Sequence, residues 1–213
     1  MASMIDTLAI LLILMNFRLL GSSRLWSCIQ TVAIQAVLLG LLPLLTNPDL
    51  TTRVALVLAG MTFVKAVVLP WLVRRSAREA QVKRELEPLV GFTLSLLVGV
   101  GLLAVGVAAS NRMALPSQSA SPLLVAVAVF TILTGLFLIV ARKKAITQVL
   151  GYLVMENGIY SFGMAYAVHE PFLVEMGILL DVWAAVFVMG IAINHIHSAY
   201  DHIDTDRLSA LKE

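Results

Sequence analysis

The stretch Pro122-Leu-Leu-Val-Ala-Val-Ala-Val-Phe-Thr-Ile-Leu-Thr-Gly-Leu-Phe-Leu-Ile-Val-Ala141 contains no ionisable side chain and ends on three successive bases, Arg142-Lys143-Lys144. A helix rises about 1.5 Å per residue, so a run of roughly 20 apolar residues matches the hydrocarbon thickness of a bilayer. The run is continuous, without the polar–apolar alternation of a β-barrel strand. Composition extends this reading to the whole chain of 213 residues, of which 60% are hydrophobic and only 13% charged. A soluble domain carries roughly twice that share of charge. The expected fold is all-α and polytopic, with no stretch left over for a separate soluble domain.

Working outward, hydropathy and helix breakers mark seven segments: 4–20, 25–45, 51–73, 88–109, 122–141, 145–168 and 171–195. Asn47-Pro48-Asp49 separates the second from the third, and Pro88 stands in the opening turn of the fourth, where its missing N–H costs nothing. The first segment has no basic region before it and carries Asp6, so it reads as a retained helix and not as a signal peptide. Taking the loops alternately, 12 of the 15 Lys and Arg residues fall on one side. Only Arg53 and Arg112 fall on the other, with Lys65 inside the third segment. Positive charge collects on the cytoplasmic face. The expected topology is therefore about seven crossings, N-terminus outside and C-terminus cytoplasmic.

The composition also excludes. A single cysteine, Cys28, rules out an internal disulfide and any cysteine-based zinc or iron–sulfur site within the chain. There is no Gly-rich phosphate loop, nucleophile elbow or metal cluster. The basic run between Arg74 and Arg84 is explained by topology without nucleic acid.

In a bilayer the informative residues are the ionisable ones that lie deep, because they are costly and tend to face protein or water. Three qualify: Lys65, five residues before Pro70; Glu156, near the middle of the sixth segment; and Asp181, ten residues into the seventh. Burial favours the neutral form of a carboxylate and a nearby cation favours the charged form. Groups held between those influences are what a proton relay requires. Lys65 also admits a plainer reading, with its stem snorkelling toward the interface. Tyr152 and Tyr160 share a helical face with Glu156, and Asn157 follows it. Glu175 falls in the first turn of the seventh segment, where the helix dipole favours an acid. Gly177, Asp181, Ala184 and Ala185 fall on one face of that segment, suited to close helix packing. Gln30 and Gln35 on the second segment read as interhelical glue. His195 and His197, two apart, fall on different faces and make a poor metal site.

These residues carry a resemblance. From Pro122 onward, Thr134-Gly135-Leu136, the turn Arg142-Lys143-Lys144, Leu150-Gly151 with Glu156-Asn157, the mid-helix Asp181, and the tail residues Ile203-Asp204, Leu208 and Leu211 resemble the K subunit of respiratory complex I. That is a three-helix proton-channel subunit with an essential glutamate in its second helix and another acid in its third. Here Glu156 stands about one turn further along, and the third-helix acid is Asp. The whole chain, with its Leu-Gly-Tyr and Met-Glu-Asn motifs, resembles component E of hydrogenase-4-type membrane-bound [NiFe] hydrogenases, relatives of complex I. The resemblance implies four N-terminal helices over 1–121, a K-subunit-like unit over 122–197 and a cytoplasmic tail over 198–213.

What it further implies is a non-catalytic membrane-arm subunit of an oxidoreductase complex in the bacterial cytoplasmic membrane. Its partners would be other membrane subunits, antiporter-like ones included, with the nickel–iron and iron–sulfur centres on those partner chains and none here. Glu156 would be the main proton carrier, Asp181 its partner and Lys65 a further relay member, with Tyr152, Asn157, Tyr160 and Glu175 supporting. Two alternatives stand beside this: a subunit of a multi-subunit cation/proton antiporter, and a purely structural membrane-arm subunit.

Overall fold

A computed structural model describes residues 2–46, 52–79, 90–113, 121–142 and 144–166, with the single positions 186 and 190. All the regular structure in these residues is helical: α1 (Ala2–Gly21), α2 (Leu25–Thr46), α3 (Thr52–Phe63), a π-helical segment (Val64–Val68), α4 (Leu69–Glu79), α5 (Phe92–Arg112), α6 (Pro122–Ala141) and α7 (Ala145–Tyr166). Five spans are long and apolar enough to cross a membrane: Met4–Gly21, Leu25–Pro43, Ala55–Arg78, Phe92–Arg112 and Pro122–Ala141. The expected seventh segment, 171–195, lies outside the described residues, as does Pro88.

Two boundaries differ from the sequence reading. The third segment does not stop near residue 73 but continues to Glu79. Pro70 would normally break a helix, since it has no N–H and its ring crowds the preceding turn. Here the turn before it is widened, and the Leu69 N–H donates to the Val64 carbonyl five residues back. A π turn of this kind absorbs the proline and lets the helix run on. The fourth segment opens at Phe92, not Pro88. Gly91 is its N-cap, with a non-helical ψ of 150°, and its carbonyl accepts the first helical bond, from the Ser95 N–H at 2.9 Å.

The helices alternate in direction. At one end Arg142 donates to the Leu20 carbonyl at 3.3 Å, which supplies a partner for one of the unpaired carbonyls at the C-terminus of α1. Arg18 donates to Ser27, and Arg74 and Arg78 lie over the ring of Trp26. Burial pushes the Arg142 guanidinium below its ordinary pKa. At the other end Ser121 donates to Asp6 at 2.7 Å, and Ser110 to the Pro122 carbonyl at 2.7 Å. Ile5, Leu42, Leu124, Val125 and Ala165 close that end as an apolar cluster. Most of the described basic residues thus gather at one end of the bundle, with Arg112 at the other and Lys65 between.

Packing is inverted relative to a soluble protein. On α5 the buried residues are Ser95, Gly99, Gly106 and Ser110, while Leu94, Leu97, Val100 and Val105 face outward. Small residues inside and large apolar ones outside suit a bundle whose solvent is lipid. The chain is a membrane protein. Its tightest joint is the antiparallel hairpin of α6 and α7, where Gly135 lies against the Met155 and Gly151 backbones and Gly158 against Thr131 and Ile132. A Cβ on Gly158 would come within 2.6 Å of the Ile132 nitrogen.

Gly158→Ala should therefore destabilise the protein by about 1–3 kcal/mol, as overpacking does. Gly101→Ala, where an added Cβ meets nothing within 4 Å, should be neutral or slightly stabilising because alanine is the better helix former. Thermal melts of the two variants in detergent check this; equal melting temperatures would contradict the close approach.

Candidate functional site

The π turn and the middle of α7 meet around a charge pair. The Lys65 ammonium lies 2.9 Å from Glu156 Oε1, with the side chains 10% and 2% exposed. Both charges are therefore held inside protein and away from lipid. Each answers the other's cost: an isolated ion in hydrocarbon is expensive, and removing one partner of a buried pair leaves an uncompensated charge. Lys65 is not extended to the outside of the bundle but turned inward to the buried carboxylate.

The Lys65 ammonium also lies 5.2 Å from the ring centroid of Tyr160, one turn beyond Glu156 on the same face of α7. That is cation–π range. The lysine is thus shared between a carboxylate and an aromatic face. Tyr152, one turn to the other side, packs against an apolar cluster that includes Leu19, Leu25 and Leu150. Asn157 is buried, and its Nδ2 has no hydrogen-bond partner among the described residues. Asp181 and Glu175 lie outside the described residues, as do His195, His197 and the small-residue face of the seventh segment. No group of three or more metal-ligating side chains occurs among the described residues.

A second polar group lies in the interior. Gln35 Nε2 donates to Asn16 Oδ1 at 2.9 Å, Asn16 Nδ2 donates to Thr131 Oγ1 at 2.7 Å, and Thr131 in turn donates to the Val127 carbonyl at 2.7 Å. This ties α1, α2 and α6 together. Asn16 and Thr131 were not singled out in the sequence, since an amide or hydroxyl in an apolar helix is common. Gln30 does not share the glue role expected of it: it is exposed. Five residues from Gln35, it turns to a different face of α2.

Comparison with known proteins bears on this geometry. A family model for NADH-ubiquinone/plastoquinone oxidoreductase chain 4L matches residues 122–213. The uncharacterized protein Rv0085 of Mycobacterium tuberculosis is 30% identical over 95% of this chain and 93% of its own. Hydrogenase-4 component E of Escherichia coli (strain K12) and of Shigella flexneri is 28% identical over 72% of this chain and 71% of its own. The chain belongs to the hydrogenase-4 component E family. No solved structure matches it.

In this component E family member the two halves of the pair come from different parts of the chain. Glu156 lies within the residues that match chain 4L, and Lys65 lies before them. The N-terminal helices therefore contribute a charge to the interior of the chain 4L-like part. Pro70 is the signal that was available for this arrangement, because it calls for a widened turn at the position of Lys65.

Lys65→Met should cost about 3–5 kcal/mol by stranding a buried carboxylate, and the double variant Lys65→Met/Glu156→Gln should recover much of the loss. A double-mutant cycle on unfolding in detergent measures the coupling. Simple additivity would mean the pair is not formed.

Proposed function

We propose that this chain is a membrane-arm subunit of a complex I-related membrane-bound hydrogenase or allied oxidoreductase, and that the Lys65–Glu156 pair is a proton-carrying element within it. The observation that carries the reading is the ion pair itself, buried in protein at the middle of a membrane bundle. Membership of the component E family and the chain 4L match over 122–213 support the setting.

In this reading a proton arriving at Glu156 neutralises the carboxylate and frees the Lys65 ammonium, which the Tyr160 ring then helps to hold. Loss of that proton restores the pair. The protonated state keeps the ammonium inside protein beside the Tyr160 ring at the cost of the lost ion pair, so re-formation of the pair favours release of the proton. Asn157, Tyr152 and Glu175 support the relay, and Asp181 is the next acid in line. The basic end of the bundle faces the cytoplasm, in a bacterial inner membrane. The partners are other membrane subunits, antiporter-like ones included, and the nickel–iron and iron–sulfur centres belong to partner chains.

The test is proton translocation by the assembled complex in proteoliposomes. Glu156→Gln should lower protons moved per turnover at least about tenfold, in line with loss of a positioned acid–base group, while the complex still assembles. Unchanged translocation would sink the assignment, and failure of assembly alone would favour a structural role.

A further inference from the structure

Among the described residues eight buried side-chain polar atoms have no hydrogen-bond partner. Three belong to Arg74 and Arg142 and one is Glu156 Oε1, which faces Lys65; the other four are uncharged: Gln35 Oε1, Thr134 Oγ1, Asn157 Nδ2 and Ser161 Oγ. All four side chains belong to residues at most 3% exposed. The close approaches of the α6–α7 hairpin set their levels. Gly158 lies against Thr131 and Ile132, and Gly135, next to Thr134, lies against Met155, the neighbour of Glu156. Thr131 and Thr134 therefore stand at the depth of Glu156 and Asn157. Asn16 is bonded to Thr131 and Gln35 to Asn16, so polar groups of α1, α2 and α6 lie at about the depth of the Lys65–Glu156 pair.

The hydrogen bonds among these groups have a forced direction. Thr131 has one hydroxyl proton and donates it to Val127, so it must accept from Asn16. Asn16 then presents its amide oxygen to Gln35, and Gln35 must turn its NH2 toward Asn16. The Gln35 oxygen is left as an open acceptor. On the hairpin the open groups are the Asn157 amide, a donor next to Glu156 in sequence, the Thr134 hydroxyl on α6, and the Ser161 hydroxyl about 7.5 Å further along α7, the hydroxyls both donating and accepting. An acceptor on α2, a hydroxyl on α6, and a donor and a hydroxyl on α7, all buried and open, are partners suited to ordered water, which takes two to four polar neighbours.

We propose that this level of the bundle holds a short chain of ordered water between Glu156 and the Gln35–Asn16 pair, and that Gln35 and Asn16 are positioning residues for proton transfer to Glu156. The proposal rests on the relay reading given above and adds to it a route through α1 and α2. Neither amide carries the proton; their role is to orient water toward the carboxylate.

Two measurements on the assembled complex test it. The first is radiolytic hydroxyl-radical footprinting in H2 18O, which labels side chains next to bound interior water. Met155 and Tyr160 should be labelled in the native protein, and at least about fivefold less in Gln35→Met and Thr134→Val. A native interior no more labelled than lipid-facing Leu97 overturns the water chain, whatever the role of Glu156. The second is protons moved per turnover. Gln35→Met should lower it about fivefold or more with assembly intact, and Thr134→Val gives the same reading if Gln35→Met does not assemble. Loss of translocation in Glu156→Gln with native values in Gln35→Met and Thr134→Val would remove this route and leave the relay reading standing. Native translocation in Glu156→Gln would remove the relay reading itself.

Discussion

A charge inside hydrocarbon must be answered by another charge, and much of this molecule follows from that requirement. Glu156 sits on α7, where no base on the same helix lies near it in sequence. Its partner comes from the π turn between α3 and α4. For Lys65 to reach it, the helix carrying Lys65 has to continue through the membrane despite Pro70, and the widened turn makes that continuation possible. The same turn sets the lysine between a carboxylate and an aromatic ring.

The α6–α7 hairpin supplies the rigid side of this arrangement. Its glycines remove the side chains that would hold the two backbones apart. In a membrane the hydrophobic effect does not drive helices together, so close backbone packing and buried hydrogen bonds must hold them. Both are present here. Thr131 receives the amide of Asn16 from α1, and Arg142 reaches out of the hairpin turn to the end of α1. The carboxylate is thereby mounted on an element that cannot easily shift, while its counter-charge sits on a locally irregular one.

Much of this was legible residue by residue. The apolar runs, their polar breaks and the alternating basic loops are local properties, and the described helices follow them closely except at α5 and at the extension of the third segment to Glu79. Glu156 and Lys65 stood out because ionisable groups are rare in such runs. What could not be read was that they meet. Lys65 five residues before a proline is compatible with snorkelling, and only the depth and direction of α7 bring the carboxylate to it. Gln30 and Gln35 look alike in sequence, yet one faces outward and the other is sealed between α1 and α2. Asn16 and Thr131 had no local mark at all.

Sequence by itself determined that this chain lives in a bilayer as a bundle of helices, because hydropathy over about 20 residues is sufficient to select a membrane helix. It also determined the family, through motifs that cluster around Glu156. Only the tertiary structure decided which polar groups share an interior. Those contacts join distant residues, 115 positions apart in the bond from Asn16 to Thr131 and 122 in that from Arg142 to Leu20. The facing of one helix toward another depends on packing that no single segment encodes. In lipid that decision carries unusual weight, since a buried polar group has no water outside the bundle to fall back on.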